Sequence, residues 1–133
     1  MSLEGIEVVV AFIQPFVLER VVDAIRSLPD SPGLSASEVL GVGSHGAHPP
    51  RSGDAGEVRA LTKRLRVEVF CRASDSRSIV DVIRKAAHTG NPGDGKVFVC
   101  PVSSACRIRT GEEGAGALVA RRVRTGGPSP RRD

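Results

Sequence analysis

Residues 89–113 read TGNPGDGKVFVCPVSSACRIRTGEE, and their side chains suit the holding of a polyphosphate. A glycine-rich loop ends in Lys96, a strand-like run follows, and Arg107 and Arg109 stand two residues apart. Glycine lets the backbone come close to an anion and adopt positive φ, while Lys and Arg supply charge-assisted hydrogen bonds. Other chemistry is weaker. His45, His48 and His88 lack the spacing of a closed metal site and read as surface histidines. Ser103 and Ser104 have no local base, so no nucleophile stands out.

Two phosphate-loop patterns fail on context. Residues 41–46 match GxGxxG after a strand, but the chain then runs into Ala47-His48-Pro49-Pro50, which cannot open the helix a dinucleotide fingerprint needs. Residues 90–96 match GxxxxGK, yet position 97 is Val rather than a magnesium-holding hydroxyl. This loop also joins a helix to a strand, the reverse of a P-loop.

The elements that must position these residues follow from periodicity. Residues 6–13 form an apolar, valine-rich run, a buried strand. Pro15 opens a helix whose buried face is Val17, Val21, Ala24, Ile25 and Leu28. Residues 35–42 read as a second strand, and residues 44–62 as a long loop rich in Gly, Pro and charge. From 64 to 71, Leu65, Val67, Val69 and Cys71 alternate with Arg64, Arg66, Glu68 and Phe70. Asp75 or Ser76 caps a second helix with Ile79, Val82, Ile83 and Ala86 on one face, and Gly90 sits where a left-handed terminator belongs. Residues 96–102 are expected to be a buried strand and 105–109 a short fifth. The order is β-α-β-β-α-β, the ferredoxin-like split βαβ arrangement of the α+β class, with an antiparallel sheet and both helices on one face. The other face asks for a partner, so an oligomer is expected.

At 133 residues this is one domain, 1–118, followed by a tail. Residues 119–133 carry five arginines against Asp133, which accounts for the whole net charge of +4 and leaves the body neutral. The tail reads as solvated and disordered, with weak membrane or nucleic-acid attraction the lesser reading. Four Phe and no Trp or Tyr argue against a nucleic-acid binder that stacks bases on its sheet. Cys71, Cys100 and Cys106 form no CxxC pair and read as buried free thiols in a reducing cytosol. No leader pattern is visible, and no apolar run nears the roughly 20 residues needed to span a bilayer, so a soluble, cytoplasmic protein without an integral membrane segment is expected.

From Ile6 to about Leu118 the chain resembles the PII (nitrogen regulatory protein) family of signalling proteins. The resemblance is carried by AAHTGNPGDGKVFVCPVSSACRIRTGEEGAGAL, by IQPF at 13–16, by GLSASEVLGVG at 33–43 and by RLRVEVF at 64–70. It implies a homotrimer of ferredoxin-like subunits binding ATP or ADP in lateral clefts. Carried over by position, Gly93, Asp94, Gly95 and Lys96 would wrap the phosphates, and Arg107 and Arg109 would reach them from the adjacent subunit. Ser35 would lie near the adenine, Phe70 would offer its backbone to the base, and Glu68 would meet the ribose or adenine edge. Gly41 and Gly43 would give close access at the base of the large loop, the family's T-loop.

In that loop the likeness fades. His45 stands where the family's magnesium- and 2-oxoglutarate-binding glutamine would be, Arg64 where its effector-gripping lysine would be, and Glu57 where a modifiable tyrosine would be. His45 and Arg64 thus stand as candidate effector ligands, and a magnesium role is left open.

The reading favoured by the sequence is a non-enzymatic sensor of adenine nucleotides that regulates an unidentified transporter or metabolic enzyme of nitrogen or carbon metabolism through its T-loop. Two alternatives are a small nucleotide hydrolase in the same cleft, with Glu68 as base, and a nucleic-acid-binding ferredoxin-like module.

Overall fold

The computed structural model describes residues 5–42 and 61–119. Expectations for Gly43, His45, most of the 44–62 loop and the arginine-rich tail beyond Val119 lie outside the described residues.

Four strands, β1 (Ile6–Ile13), β2 (Ser35–Gly41), β3 (Thr62–Arg72) and β4 (Gly95–Val102), form one sheet in the order β2-β3-β1-β4, every pair antiparallel. The central position of β1 explains its unbroken apolar run. Val9, Ala11 and Ile13 face the helices, and even on the opposite face Ile6 and Val10 are each only 7% exposed.

Helices α1 (Leu18–Arg26) and α2 (Ser76–Ala87) cover one face. Val17, Val21 and Ile25 on one side and Ile79, Ile83 and Ala87 on the other follow the i, i+4, i+8 stripe that points a helix face inward. They pack on Val9, Ala11, Ile13, Leu65, Val67, Val69 and Cys71. The fully buried side chains are branched aliphatics, each contributing about 1.5–3 kcal/mol. The ferredoxin-like β-α-β-β-α-β fold is therefore as expected.

Five local expectations need correcting. First, β4 is not buried in the single chain: Phe98 and Val99 are exposed and Val97 is half-buried. It is an edge strand with only β1 beside it, so half its surroundings are open. Second, no fifth strand forms over 105–109. One bridge, Cys106↔Glu113, is followed by a tight turn in which Gly111 N–H donates to Arg107 O at 2.7 Å. Third, both helices are entered through 3-10 turns, Pro15–Val17 and Ala73–Asp75. Asp75 at the second entry has helical rather than extended backbone and makes no side-chain cap; Ser76 instead turns its hydroxyl to Ala73 O at 3.0 Å. Gly90 does have φ 89°, but α2 ends earlier, at Ala87, with His88 extended.

The fourth concerns the open face of the sheet. Register places Phe12, Phe70 and Phe98 there, with Phe70 46% and Phe98 48% exposed, so sheet-face aromatics are present after all. The composition is poor in aromatics overall, but strand alternation collects three of the four phenylalanines on this one surface. Exposure also corrects the thiols: Cys71 is buried, whereas Cys100 and Cys106 are exposed.

Candidate functional site

The glycine-rich loop between α2 and β4 is braced from within by Asp94. Its carboxylate accepts hydrogen bonds from the Thr89 hydroxyl, from Thr89 N–H at 2.8 Å and from Gly90 N–H at 2.9 Å. His88 Nδ1 lies 3.8 Å away. The Thr89 hydroxyl, then the backbone N–H groups of Thr89 and Gly90, hold the Asp94 carboxyl below its ordinary value. The Asp94 side chain is thus a loop brace, and its contribution to an anion would come from the backbone.

Two glycines set how closely this loop meets the sheet. Gly95 has φ 109°, and a Cβ there would stand 1.7 Å from the Phe12 carbonyl oxygen, so only glycine lets β4 start against β1. Gly93 has φ 96°, with Gln14 Nε2 and Arg64 Nη2 at 3.1 and 3.3 Å from where its Cβ would be. Gln14 Nε2 donates to Gly93 O at 2.9 Å. Arg64, singled out for an effector, is therefore at the loop. Lys96 follows on β4, paired across β1 with Phe12, whose ring lies 5.8 Å from the Arg66 guanidinium.

A second group assembles elsewhere. Ser35 and Glu68 face each other in the β2–β3 ladder and, with Phe70, Gly33, Leu34, Ala117 and Leu118, line an open cleft of about 370 Å³. Ala117 and Leu118 belong to a 3-10 turn, Gly114–Leu118. Glu68 Oε1 is 3.4 Å from Arg66 Nε, so the carboxylate is already engaged by a cation. Arg107 is tied to the same turn, with Nη2 donating to Gly116 O at 3.4 Å and to Val119 O, and Nε 3.4 Å from Glu112 Oε1. Arg109 stands at the exposed tip of the 107–112 turn beside fully exposed Ile108. Gly41 ends β2 opposite Thr62 and has open space where a Cβ would go, so its lack of a side chain is not forced by packing.

The predicted residues therefore fall into two groups in one chain. Gly93, Asp94, Gly95, Lys96 and Arg64 lie where β1 ends and β4 begins; Ser35, Glu68, Phe70 and Arg107 lie beside the outer strand β2. As β2 and β4 are opposite edges, three strand spacings of about 4.8 Å separate Ser35 from the row of Lys96. Gln14, Ala117 and Leu118 were not marked by the sequence reading. Gln14 entered only as part of IQPF, with no role of its own, and its hydrogen bond across 79 residues is what the structure adds. Among the described residues no cluster of three or more His, Cys, Asp or Glu could hold a metal, and no helix is long and apolar enough to cross a membrane.

An antiparallel four-stranded sheet with two helices on one face and a glycine loop feeding its edge strand defines a protein of the ferredoxin-like fold. The family of nitrogen regulatory protein P-II matches residues 6–112, and the chain belongs to it. It is 38% identical over 120 residues to the nitrogen fixation nifHD region GlnB-like protein 2 of Methanothermobacter marburgensis, covering 83% of this chain and 98% of that protein. It is 36% identical over 108 residues to the nitrogen regulatory protein P-II of Azospirillum brasilense, covering 81% and 96%. Similar solved structures include Arabidopsis thaliana PII bound to citrate (TM-score 0.70, 25% identity, 91% of this chain and 96% of that one). The B. subtilis GlnK–ATP complex gives a TM-score of 0.69 at 26% identity, covering 86% and 98%.

Proposed function

We propose that this PII-family signalling protein binds ATP or ADP in clefts between the subunits of a homotrimer and regulates a target protein through the segment around 44–62. One observation carries the reading: the residues expected to hold the nucleotide fall into two groups, one toward the β4 edge of the sheet and one toward the β2 edge. A cleft closed by two neighbouring copies would bring the two groups onto one nucleotide. Gly93–Lys96 of one subunit would take the phosphates, with Ser35, Glu68 and the Phe70 backbone of its neighbour at the base and ribose, and Arg107 and Arg109 returning to the phosphates. The fit is favoured by positive φ at Gly93 and Gly95 and by the exposed Lys96 beside them.

The open sheet face, with Phe70 and Phe98 exposed, supplies an apolar surface for assembly. The ATP complex of B. subtilis GlnK supports adenine nucleotide as the ligand class. Arg64 beside the loop suits a carboxylate effector, in keeping with citrate on the Arabidopsis relative. A regulator is favoured over a hydrolase because Glu68, the candidate base, already sits against Arg66. ATP or ADP bound differently at the base of the loop would shift the population of its conformers.

Calorimetric titration of ATP and ADP into the full chain, with its mass measured by light scattering, tests the reading. Saturable binding, one nucleotide per subunit of a trimer, is expected. A monomer that binds nucleotide equally well would overturn the intersubunit cleft.

A further inference from the structure

The loop at 88–95 has left-handed or otherwise positive φ at Gly90, Gly93 and Gly95, so its backbone is intrinsically permissive and must be held by contacts. Asp94 ties it to itself, through Thr89 and Gly90, but this fixes only its internal shape. Its placement on the sheet rests on two other contacts. Gly95 enters the β1–β4 ladder opposite Ile13, and one residue beyond Ile13 the side chain of Gln14 donates to Gly93 O. Among the described residues this is the one side-chain hydrogen bond that joins the loop to another element.

We infer that Gln14 is a positioning residue for the phosphate-binding loop: its amide pins the Gly93 carbonyl to the end of β1 and so presets the backbone ahead of Lys96. A carbonyl only accepts, so the amide presents its nitrogen, and the glycine at 93 lets that nitrogen and the Arg64 guanidinium close over the backbone. A loop held in its bound shape before the ligand arrives loses less conformational freedom on binding. The inference rests on the nucleotide reading above and goes beyond it, because Gln14 need not touch the nucleotide.

Gln14→Met keeps the length and shape of the side chain and removes the donor; Gln14→Lys restores one. ATP binding to the full chain is read by calorimetry beside Lys96→Ala, with amide hydrogen exchange over 88–96 measured without nucleotide. The expected result is a three- to tenfold weaker Kd for Gln14→Met, the size of one ordinary hydrogen bond. Faster exchange confined to 88–96, an unchanged melting temperature and recovery of affinity in Gln14→Lys go with it. Wild-type affinity in Gln14→Met while Lys96→Ala loses binding overturns the role of Gln14 and leaves the nucleotide reading standing. A loss that Gln14→Lys does not restore also overturns it. Affinity that Lys96→Ala does not change overturns the nucleotide reading, and this inference with it.

Discussion

Arg107 is folded back along its own chain, its Nε 3.4 Å from Glu112 Oε1 and its Nη2 on the carbonyls of Gly116 and Val119. Nε is buried without a well-aligned hydrogen bond, so the approach to Glu112 is an ion pair rather than a directed bond. That arrangement anchors the guanidinium to the Gly114–Leu118 turn, two of whose residues line the Ser35–Glu68 cleft.

Replacing Arg107 by Ala should weaken ATP binding about ten- to a hundredfold, since a hydrogen bond to a charged group is worth about 1.5–3 kcal/mol. Arg107→Lys should recover only part, because an ammonium cannot reproduce the planar fork. Calorimetry on the assembled protein checks both; wild-type affinity in Arg107→Ala would remove this residue from the site.

Gly95→Ala should destabilise the fold by about 3 kcal/mol or more, since the new Cβ would collide with the Phe12 carbonyl at a positive φ. Gly41→Ala, with open space at its Cβ, should change stability little. Urea unfolding of the two variants side by side measures the contrast.

The depressed pKa of Asp94 makes the loop acid-sensitive in one direction. A carboxyl whose pKa is lower in the folded state contributes stability that is present above its unfolded value, near 3.8, and is lost as pH falls through the folded value. Exchange protection over 88–95 should therefore hold at neutral pH and fade progressively as pH falls below the unfolded value. Asp94→Asn should flatten that dependence. His88, 3.8 Å from Asp94, is the other titratable group at the loop, and His88→Gln should leave the acid limb in place.

Phe98→Glu should shift the proposed trimer toward monomer, because a charge would be placed on the half-exposed apolar face. Light scattering against protein concentration reads the change. An undisturbed trimer would mean that the copies meet through another surface.

Cys71 should resist thiol reagents in the native protein. Burial, with Asp75 and Glu7 adding to it, pushes its pKa up to about 11, so almost no thiolate exists at neutral pH. Cys106 on the exposed turn should react quickly. Mass spectrometry after brief alkylation, before and after unfolding, distinguishes them.

The fold was legible where periodicity was strong. The alternation of Leu65, Val67, Val69 and Cys71 and the helical stripes through Val21 and Ile79 reappear as the buried core. Burial of β4 was misjudged because an apolar run says how a strand is composed, not whether it lies at an edge. The 105–109 strand failed because Gly111, at φ 75°, returns the chain after a single bridge. At the candidate site, residue types marked the residues, but their division into two groups depended on strand order. The contact of Gln14 was hidden for a related reason: its partner lies 79 residues away, and no local pattern encodes it.

The last rung of the β2–β3 ladder joins Gly41 to Thr62, so the chain leaves and re-enters the sheet at adjacent points. Closing a loop between fixed ends grows costlier only with the logarithm of its length, about 0.6 kcal/mol per doubling. Residues 42–61 can therefore be treated as an exchangeable cassette. A foreign segment spliced between Gly41 and Thr62 would leave the sheet and the 88–95 loop in register, so sequence there can diversify without disturbing the residues beneath it.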